Sequence, residues 1–428
     1  MKSFLVSILV LALALLGCKA KEGVASAAAS PDEKVTLAVW NFTNEFEYGM
    51  LDLYKEAHPN ITIEHTLVQE SAGYVNKLVS ALTSGQGAPD CFALNVNYTR
   101  QFVESGQVLD LTDIYNLYKD ALVPYQVEIG SDNGKVYALS WQATPGAFYY
   151  RRSLAKKYLG TDDPAQIQTY LSDMNKFMDT AKTLHDKSGG SCVIVPTFTG
   201  LLDAYTPNRK QPWVVDGSLV IDPILLDYMD VSRTIREKGY DARLGGWSEG
   251  WFNGMKGILK DENGNTIDVF GYFLPTWGIS YVFKTNAMET SGDWAIAPGP
   301  MYHYNGGTYI AAYKGTKHPA EAKEFIRYMT ADDDFLEAWA IKRGDLTSNN
   351  RVNAKVKDQF SDPYVGGQNH WALFSELAPF VNGKLVQGTD DAINAIFNEA
   401  VTAYANNEKS KEKALADFKD QVASEMGF

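Results

Sequence analysis

Two hydrophobic periods alternate at the start of the folded body, and that alternation most restricts what the chain can become. Val35-Thr36-Leu37-Ala38-Val39-Trp40 is rich in β-branched and aromatic residues, and Phe46, Met50, Leu53, Tyr54 and Ala57 follow at helical spacing. His58-Pro59-Asn60 stops that helix. Ile61-Thr62-Ile63-Glu64-His65 then resumes as a strand, and Tyr74, Leu78, Val79 and Leu82 mark a second helix. The turn cluster Ser84-Gly85-Gln86-Gly87-Ala88-Pro89 leads into a strand containing Cys91, and Val136 to Trp141 reads as a later strand. Strand, helix, strand in repetition predicts an α/β fold with a parallel sheet, whose ligands sit beyond the carboxyl ends of the strands.

Later segments are helical. Ala322, Phe325, Ile326 and Met329 share one face, and Phe335, Leu336 and Trp339 mark the next segment. From Ala392 to Phe428 the pattern is two amphipathic helices separated near Asn406-Asn407. There is no internal repeat. A length of 428 residues exceeds one small core and predicts two lobes, and 45% hydrophobic with 21% charged residues is the balance of a folded soluble body. The formal charge of −13 becomes −14 once Lys2 is removed, which disfavours nucleic acid and anionic lipid surfaces as partners.

Lys2 precedes the apolar run Phe4 to Leu16, too short to span a bilayer and of the length of a signal-peptide core. Residues 1–17 are therefore expected to be an export signal. The run ends in Leu15-Leu16-Gly17-Cys18, which resembles the lipobox of bacterial lipoproteins, where the cysteine carries the lipid and anchors the protein to a membrane. The segment to residue 33 holds Ala, Ser, Gly and charged residues, a tether of about 15 residues reaching roughly 20 Å. Cys91 and Cys192 lie in apolar strand-like runs that belong to different lobes, which predicts two free buried thiols, and no metal-binding cysteine pattern is present.

Several motifs in order resemble the family 1 extracellular solute-binding proteins of bacterial ABC importers, the group that includes maltose-binding proteins. They include the first strand ending in Trp40, Leu82-Thr83-Ser84-Gly85 with Ala88-Pro89-Asp90, and Glu104-Ser105-Gly106-Gln107-Val108-Leu109-Asp110-Leu111-Thr112. Phe148-Tyr149-Tyr150-Arg151-Arg152-Ser153-Leu154, Trp294-Ala295-Ile296-Ala297-Pro298-Gly299-Pro300, Gly306-Gly307 and Glu321-Ala322-Lys323-Glu324-Phe325-Ile326 follow. The chain departs from the family pattern at Gly344-Asp345-Leu346-Thr347-Ser348 and at Arg151-Arg152. The resemblance implies an α/β, two-lobed fold of the periplasmic-binding-protein type (class II), with a ligand cleft between the lobes. It places the first lobe at 34–144 plus 301–340 and the second at 145–300 plus 341–428. It further implies a monomeric, non-enzymatic binder that captures a carbohydrate and delivers it to importer permease subunits, with no cofactor.

A sugar presents hydroxyls at its edge and C–H faces above and below, so its binder needs carboxylates or amides and aromatic rings. Trp40, Asn41 and Glu45 follow the first strand, Asn97 and Tyr98 follow the strand containing Cys91, and Thr144 lies near a lobe crossover. Trp40 reads equally well as the cap of a core, and Glu45 as a helix-start charge. In Phe273-Leu274-Pro275-Thr276-Trp277-Gly278, Trp277 resembles the family position that stacks on ligand from the second lobe. Trp213, Trp247 and Trp251 lie in Gly- or Pro-bearing loops as further platforms; Gly306 and Gly307 admit close backbone approach, and Asp345 is another polar candidate. Three other readings stay open: a ferric-ion binder using Tyr149-Tyr150, a binder of polyamine or another small solute, and an exported glycosidase. No phosphate loop or close histidine pair is present.

Overall fold

The computed structural model describes residues 34–427. The export signal, Cys18 and the tether lie outside the described residues. Nine strands build the two main sheets: β1 (Val35–Asn41), β2 (Ile61–Leu67), β3 (Cys91–Asn95), β4 (Leu139–Ser140), β5 (Pro145–Arg151), β6 (Gly271–Pro275), β7 (Trp294–Ala297), β8 (His303–Tyr304) and β9 (Thr308–Ala312). The first sheet has the order β2-β1-β3-β9-β4. β1 runs parallel to β2, in register from Val35 with Ile61 to Asn41 with Leu67, and parallel to β3. This is the parallel sheet expected from the alternation. β9 reverses the direction, pairing antiparallel with both β3 and β4.

The second sheet is antiparallel throughout, with β6, β7 and β8 all pairing on β5. Its central strand is buried from Pro145 to Tyr150, and adjacent side chains enter opposite cores: Tyr149 the one that continues toward the first sheet, Tyr150 the one under the late helices. The helix expected from Phe46 to Ala57 is broken. Gly49, at φ 113°, kinks a π-turn over Phe46–Met50 into the α-helix Leu51–Ala57, a conformation that glycine alone adopts without strain. Val79, expected on an apolar face, is exposed, while Tyr74, Leu78 and Leu82 are buried. Helices Pro319–Ala331 and Asp333–Arg343 bury the residues that their pattern marks, and the two C-terminal helices run Asp390–Ala405 and Lys411–Met426. Cys91 and Cys192 are free, buried thiols, one in the core of the first sheet and one in that of the second.

Three chain segments connect the sheets, and they are tied to one another. The Ala143 N–H donates to the Leu346 carbonyl at 2.9 Å, the Ser348 N–H to the Trp141 carbonyl at 3.1 Å, and the Thr144 hydroxyl to the Gly306 carbonyl at 2.9 Å. Because β8 pairs with β5, the return crossing falls at residues 305–307 rather than at 301. Val352, which the sequence placed in the second lobe, packs into the first core beside Trp141 and Trp339.

Candidate functional site

A cleft opens beyond the end of β3, where Val96 and Asn97 lie, and it contains two adjoining cavities. The larger has about 180 Å³ open to ligand atom centres. Its floor and wall come from the second lobe, including Trp247, Trp251 and Trp277. Ser248 caps the helix Glu249–Lys256 by accepting a hydrogen bond from the Trp251 N–H, and this sets Trp251 on its first turn. Trp247 stacks on Trp251 at 5.4 Å and 27°, and on Trp277 at 6.1 Å and 25°. The Trp277 indole N–H donates to the Asn305 carbonyl at 3.1 Å, fixing that ring against a crossing segment. Trp247 is 53% exposed and sits at φ 61°. A bulky residue in the left-handed region costs about 1 kcal/mol, and such strain concentrates at functional positions.

Asp203 and Asn305 line both cavities. The Asn305 side-chain amide donates to Asp203, whose carboxyl group is open to solvent yet crowded by the cleft walls. Burial by those walls raises its pKa to about 6, against the lowering effect of the Asn305 hydrogen bond. The smaller cavity, about 70 Å³, lies between Asn97 of the first lobe, Arg209, and Asp390 at the start of helix Asp390–Ala405. Arg209 and Asp390 form a buried ion pair at 2.6 Å, and the guanidinium lies over the Trp213 ring at 5.4 Å.

The candidate residues separate into groups. Trp247, Trp251 and Trp277 come together at the larger cavity, while Asn97 and Gly306 line the smaller. A side chain on Gly306 would collide with the Trp277 indole at 2.9 Å, so glycine permits that packing. Thr144 and Gly307 are joint residues: the Thr144 N–H donates to the Tyr125 hydroxyl at 2.6 Å, and the Gly307 carbonyl accepts from the Val96 N–H at 3.0 Å. Asn41 is fully buried; its Oδ1 accepts from the Phe42 N–H at 2.7 Å, while its Nδ2 has no partner. Trp40 and Tyr98 pack on the core that continues between the lobes.

Glu45 and Asp345 lie together away from both cavities. Burial, then the charge of Asp345, raises Glu45 to about 7 against the opposing pull of Arg343. Burial raises Asp345 to about 6, and the Ser280 hydroxyl donates to it at 3.2 Å. Trp213 corrects the expectation of a ligand platform. It is 0% exposed, packed against Phe397 and Phe418, and its indole N–H donates to Asn394 at 2.8 Å. The tyrosine pair likewise offers no joint iron site, since the Tyr149 hydroxyl donates to the Pro275 carbonyl and the Tyr150 hydroxyl to that of Asp162 on opposite sheet faces.

Asp203, Asn305, Arg209 and Asp390 escaped the sequence reading. Asp203 lies among the buried Leu201, Leu202, Ala204 and Tyr205, where one acidic residue reads as the solvent face of a helix. Asn305 carried a usable signal, because it immediately precedes the Gly306-Gly307 pair already singled out for close backbone approach.

Two α/β lobes, three tied crossings and an aromatic-lined cleft define a two-lobed solute-binding protein. Residues 40–334 match the family profile described as bacterial extracellular solute-binding protein. The chain belongs to that family. It is 22% identical to an arabinooligosaccharide-binding protein of Bacillus subtilis (strain 168), over 99% of this chain and 98% of that one. Among solved structures it is similar to an extracellular solute-binding protein family 1 member (TM-score 0.81, 20% identity, 91% of this chain and 100% of that one). It is also similar to a B. animalis subsp. lactis ABC transporter binding protein in complex with β-1,6-galactobiose (TM-score 0.69, 20% identity, 91% and 97% covered).

Proposed function

We propose that the protein captures an uncharged carbohydrate in this cleft and passes it, unchanged, to the permease subunits of an ABC-type importer. A lipid on Cys18 holds the exported monomer at the membrane. The observation that carries the reading is the stacked wall of Trp247 and Trp277 lining the same cavity as Asp203 and Asn305. Aromatic faces match the C–H faces of a sugar, while the carboxylate and amide match its hydroxyl edge. Relatives named for binding arabinooligosaccharides and a structural neighbour holding a galactobiose support the same ligand class. The larger cavity takes one carboxylate, Asp203, from the residues that line it.

The test is a melting panel of neutral mono- and oligosaccharides, with ferric ion and spermidine included. A ligand at about 100 times its Kd adds about 2.7 kcal/mol of stability, a clear upward shift. A shift with iron or spermidine alone would overturn the carbohydrate reading. Chromatography of the sugar after long incubation should return it intact, and cleaved product in excess of protein would establish turnover. Replacing Cys18 with Ser should release the exported protein into the soluble fraction.

A further inference from the structure

Asn305 stands in the return crossing between β8 and β9, and three of its polar groups are engaged at once. Its N–H donates to the Thr144 carbonyl at 3.3 Å, its carbonyl accepts the Trp277 indole N–H at 3.1 Å, and its side-chain amide donates to Asp203. The next two residues are pinned as well: the Gly306 carbonyl accepts from the Thr144 hydroxyl, and the Gly307 carbonyl from the Val96 N–H at the end of β3. An asparagine that served only to turn the chain would keep its side chain local. This one reaches a carboxylate 102 positions away.

Trp277 and Asp203 are the ring face and the hydrogen-bonding edge of one cavity, and the same residue holds both. Neither is fixed by burial, since Trp277 is half-buried and Asp203 exposed. A side chain that must be ordered when ligand arrives weakens binding, whereas one already held does not. The amide also acts on charge. Burial raises the Asp203 carboxyl to about 6, and the Asn305 amide, donating to the ionised form, opposes the rise. The neighbours of Asp203 behave differently. β8, with His303 and Tyr304, and helix Pro223–Lys238, with Asp227 and Tyr228, pack against the helix Leu202–Tyr205 that carries it. Burial holds His303 down to about 4 and pushes Tyr205, Tyr228 and Tyr304 far up, so none of these four changes charge near neutrality. Arg209, Asp390 and Asp391 line the smaller cavity with Asp203, and burial raises both of those carboxyls, so a test must separate them from Asp203.

We propose that Asn305 is a positioning residue for sugar binding, holding the Trp277 ring through its carbonyl and the Asp203 carboxylate through its side-chain amide. This rests on the carbohydrate reading above. The test is calorimetric titration of wild type and Asn305→Ala, between about pH 5 and 8, with the neutral sugars of the melting panel, arabinobiose and β-1,6-galactobiose among them. Wild-type affinity should fall as Asp203 takes up a proton near pH 6. Removing the amide should raise that midpoint by about one pH unit, so the loss of affinity should be about fivefold larger at pH 6 than at pH 8. Asn305→Asp keeps the shape and replaces the donor by a second charge; it should move the midpoint further the same way and serves if the alanine variant unfolds. In an Asp203→Asn background the midpoint should vanish. A midpoint that survives there belongs to Asp390 or Asp391 and overturns the assignment. An Asn305→Ala profile parallel to wild type overturns it too, since a merely structural residue would give that result. Melts without sugar make the test independent of ligand. The folded state holds the Asp203 proton more tightly than the unfolded chain, so this contribution is most favourable below pH 3.8 and is lost as the pH rises through 6. Losing the amide extends that loss, so Asn305→Ala should destabilise more at pH 8 than at pH 4, and equally at both in the Asp203→Asn background. If no sugar binds, the carbohydrate reading falls, while this melting pattern still decides whether Asn305 holds Asp203.

Discussion

The two cavities of the cleft are built on different principles. The larger takes its aromatic wall from one lobe, where Trp251, Trp247 and Trp277 support one another ring against ring. The smaller is assembled from Asn97 of the first lobe, the crossing residues Asn305 and Gly306, and Arg209 and Asp390 of the second. Apolar stacking needs only a surface, and one lobe supplies it. Edge recognition needs several donors and acceptors at fixed distances, which here come from both lobes and hold only while the lobes keep their relation. The difference assigns affinity to the first cavity and sensitivity to lobe arrangement to the second.

The strongest way to break that division is to remove what stands behind the smaller cavity. Trp213 supports two of its wall residues, lying under the Arg209 guanidinium and donating to Asn394. Trp213→Ala should cost about 3–5 kcal/mol of stability, the usual cost of deleting a buried aromatic ring. Chemical denaturation measures it. A loss under about 1 kcal/mol would mean that the wall does not depend on this core. Asp203 is shared by both cavities, so Asp203→Ala should weaken ligand binding by about 2 kcal/mol, the scale of a hydrogen bond to a charged group, with little change in melting. Calorimetry on the ligand found by the melting panel reads this directly.

Trp247 makes the opposite prediction to Trp213. Half exposed and strained at φ 61°, it contributes little to the fold. Trp247→Ala should leave the melting temperature nearly unchanged and weaken binding by about 1–2 kcal/mol. Loss of stability with unchanged binding would reverse the roles given to the two tryptophans.

Local sequence could not separate these two residues. Gln211-Pro212-Trp213 and Gly245-Gly246-Trp247 both look like turns presenting a ring. Trp213 is buried because Asn394, Phe397 and Phe418 arrive from helices far along the chain. The parallel half of the first sheet was legible because its strands and helices alternate with distinct hydrophobic periods. The antiparallel second sheet was not, since β5 is buried on both faces and its partners β6 and β7 lie far along the chain. The Arg209–Asp390 pair likewise depends on residues 181 positions apart. Trp277 was found by resemblance, and Asn305 stood one residue from a glycine pair that had been recognised.

The smallest predicted effect separates the cleft from the carboxylates beside it. Glu45 and Asp345 lie away from both cavities, and burial raises Glu45 from 4.5 to about 7. The folded state therefore holds the Glu45 proton more tightly than the unfolded chain does. This contribution is most favourable below pH 4.5, is lost as the pH rises toward 7, and leaves a constant penalty above that. Glu45→Gln removes the charge and keeps an oxygen for the Thr43 hydroxyl, which donates to the native carboxylate at 3.3 Å. The variant should be more stable than wild type by about 1 kcal/mol at pH 8, allowing for partial solvent screening, with no advantage at pH 4. Thermal melts across that range measure it. Repeating them with saturating sugar sharpens the distinction: ligand should perturb the titration of Asp203, raised to about 6 in the cleft, and leave that of Glu45 in place. A Glu45 titration that moves with ligand would draw Glu45 and Asp345 into the binding site and extend the polar surface beyond the smaller cavity.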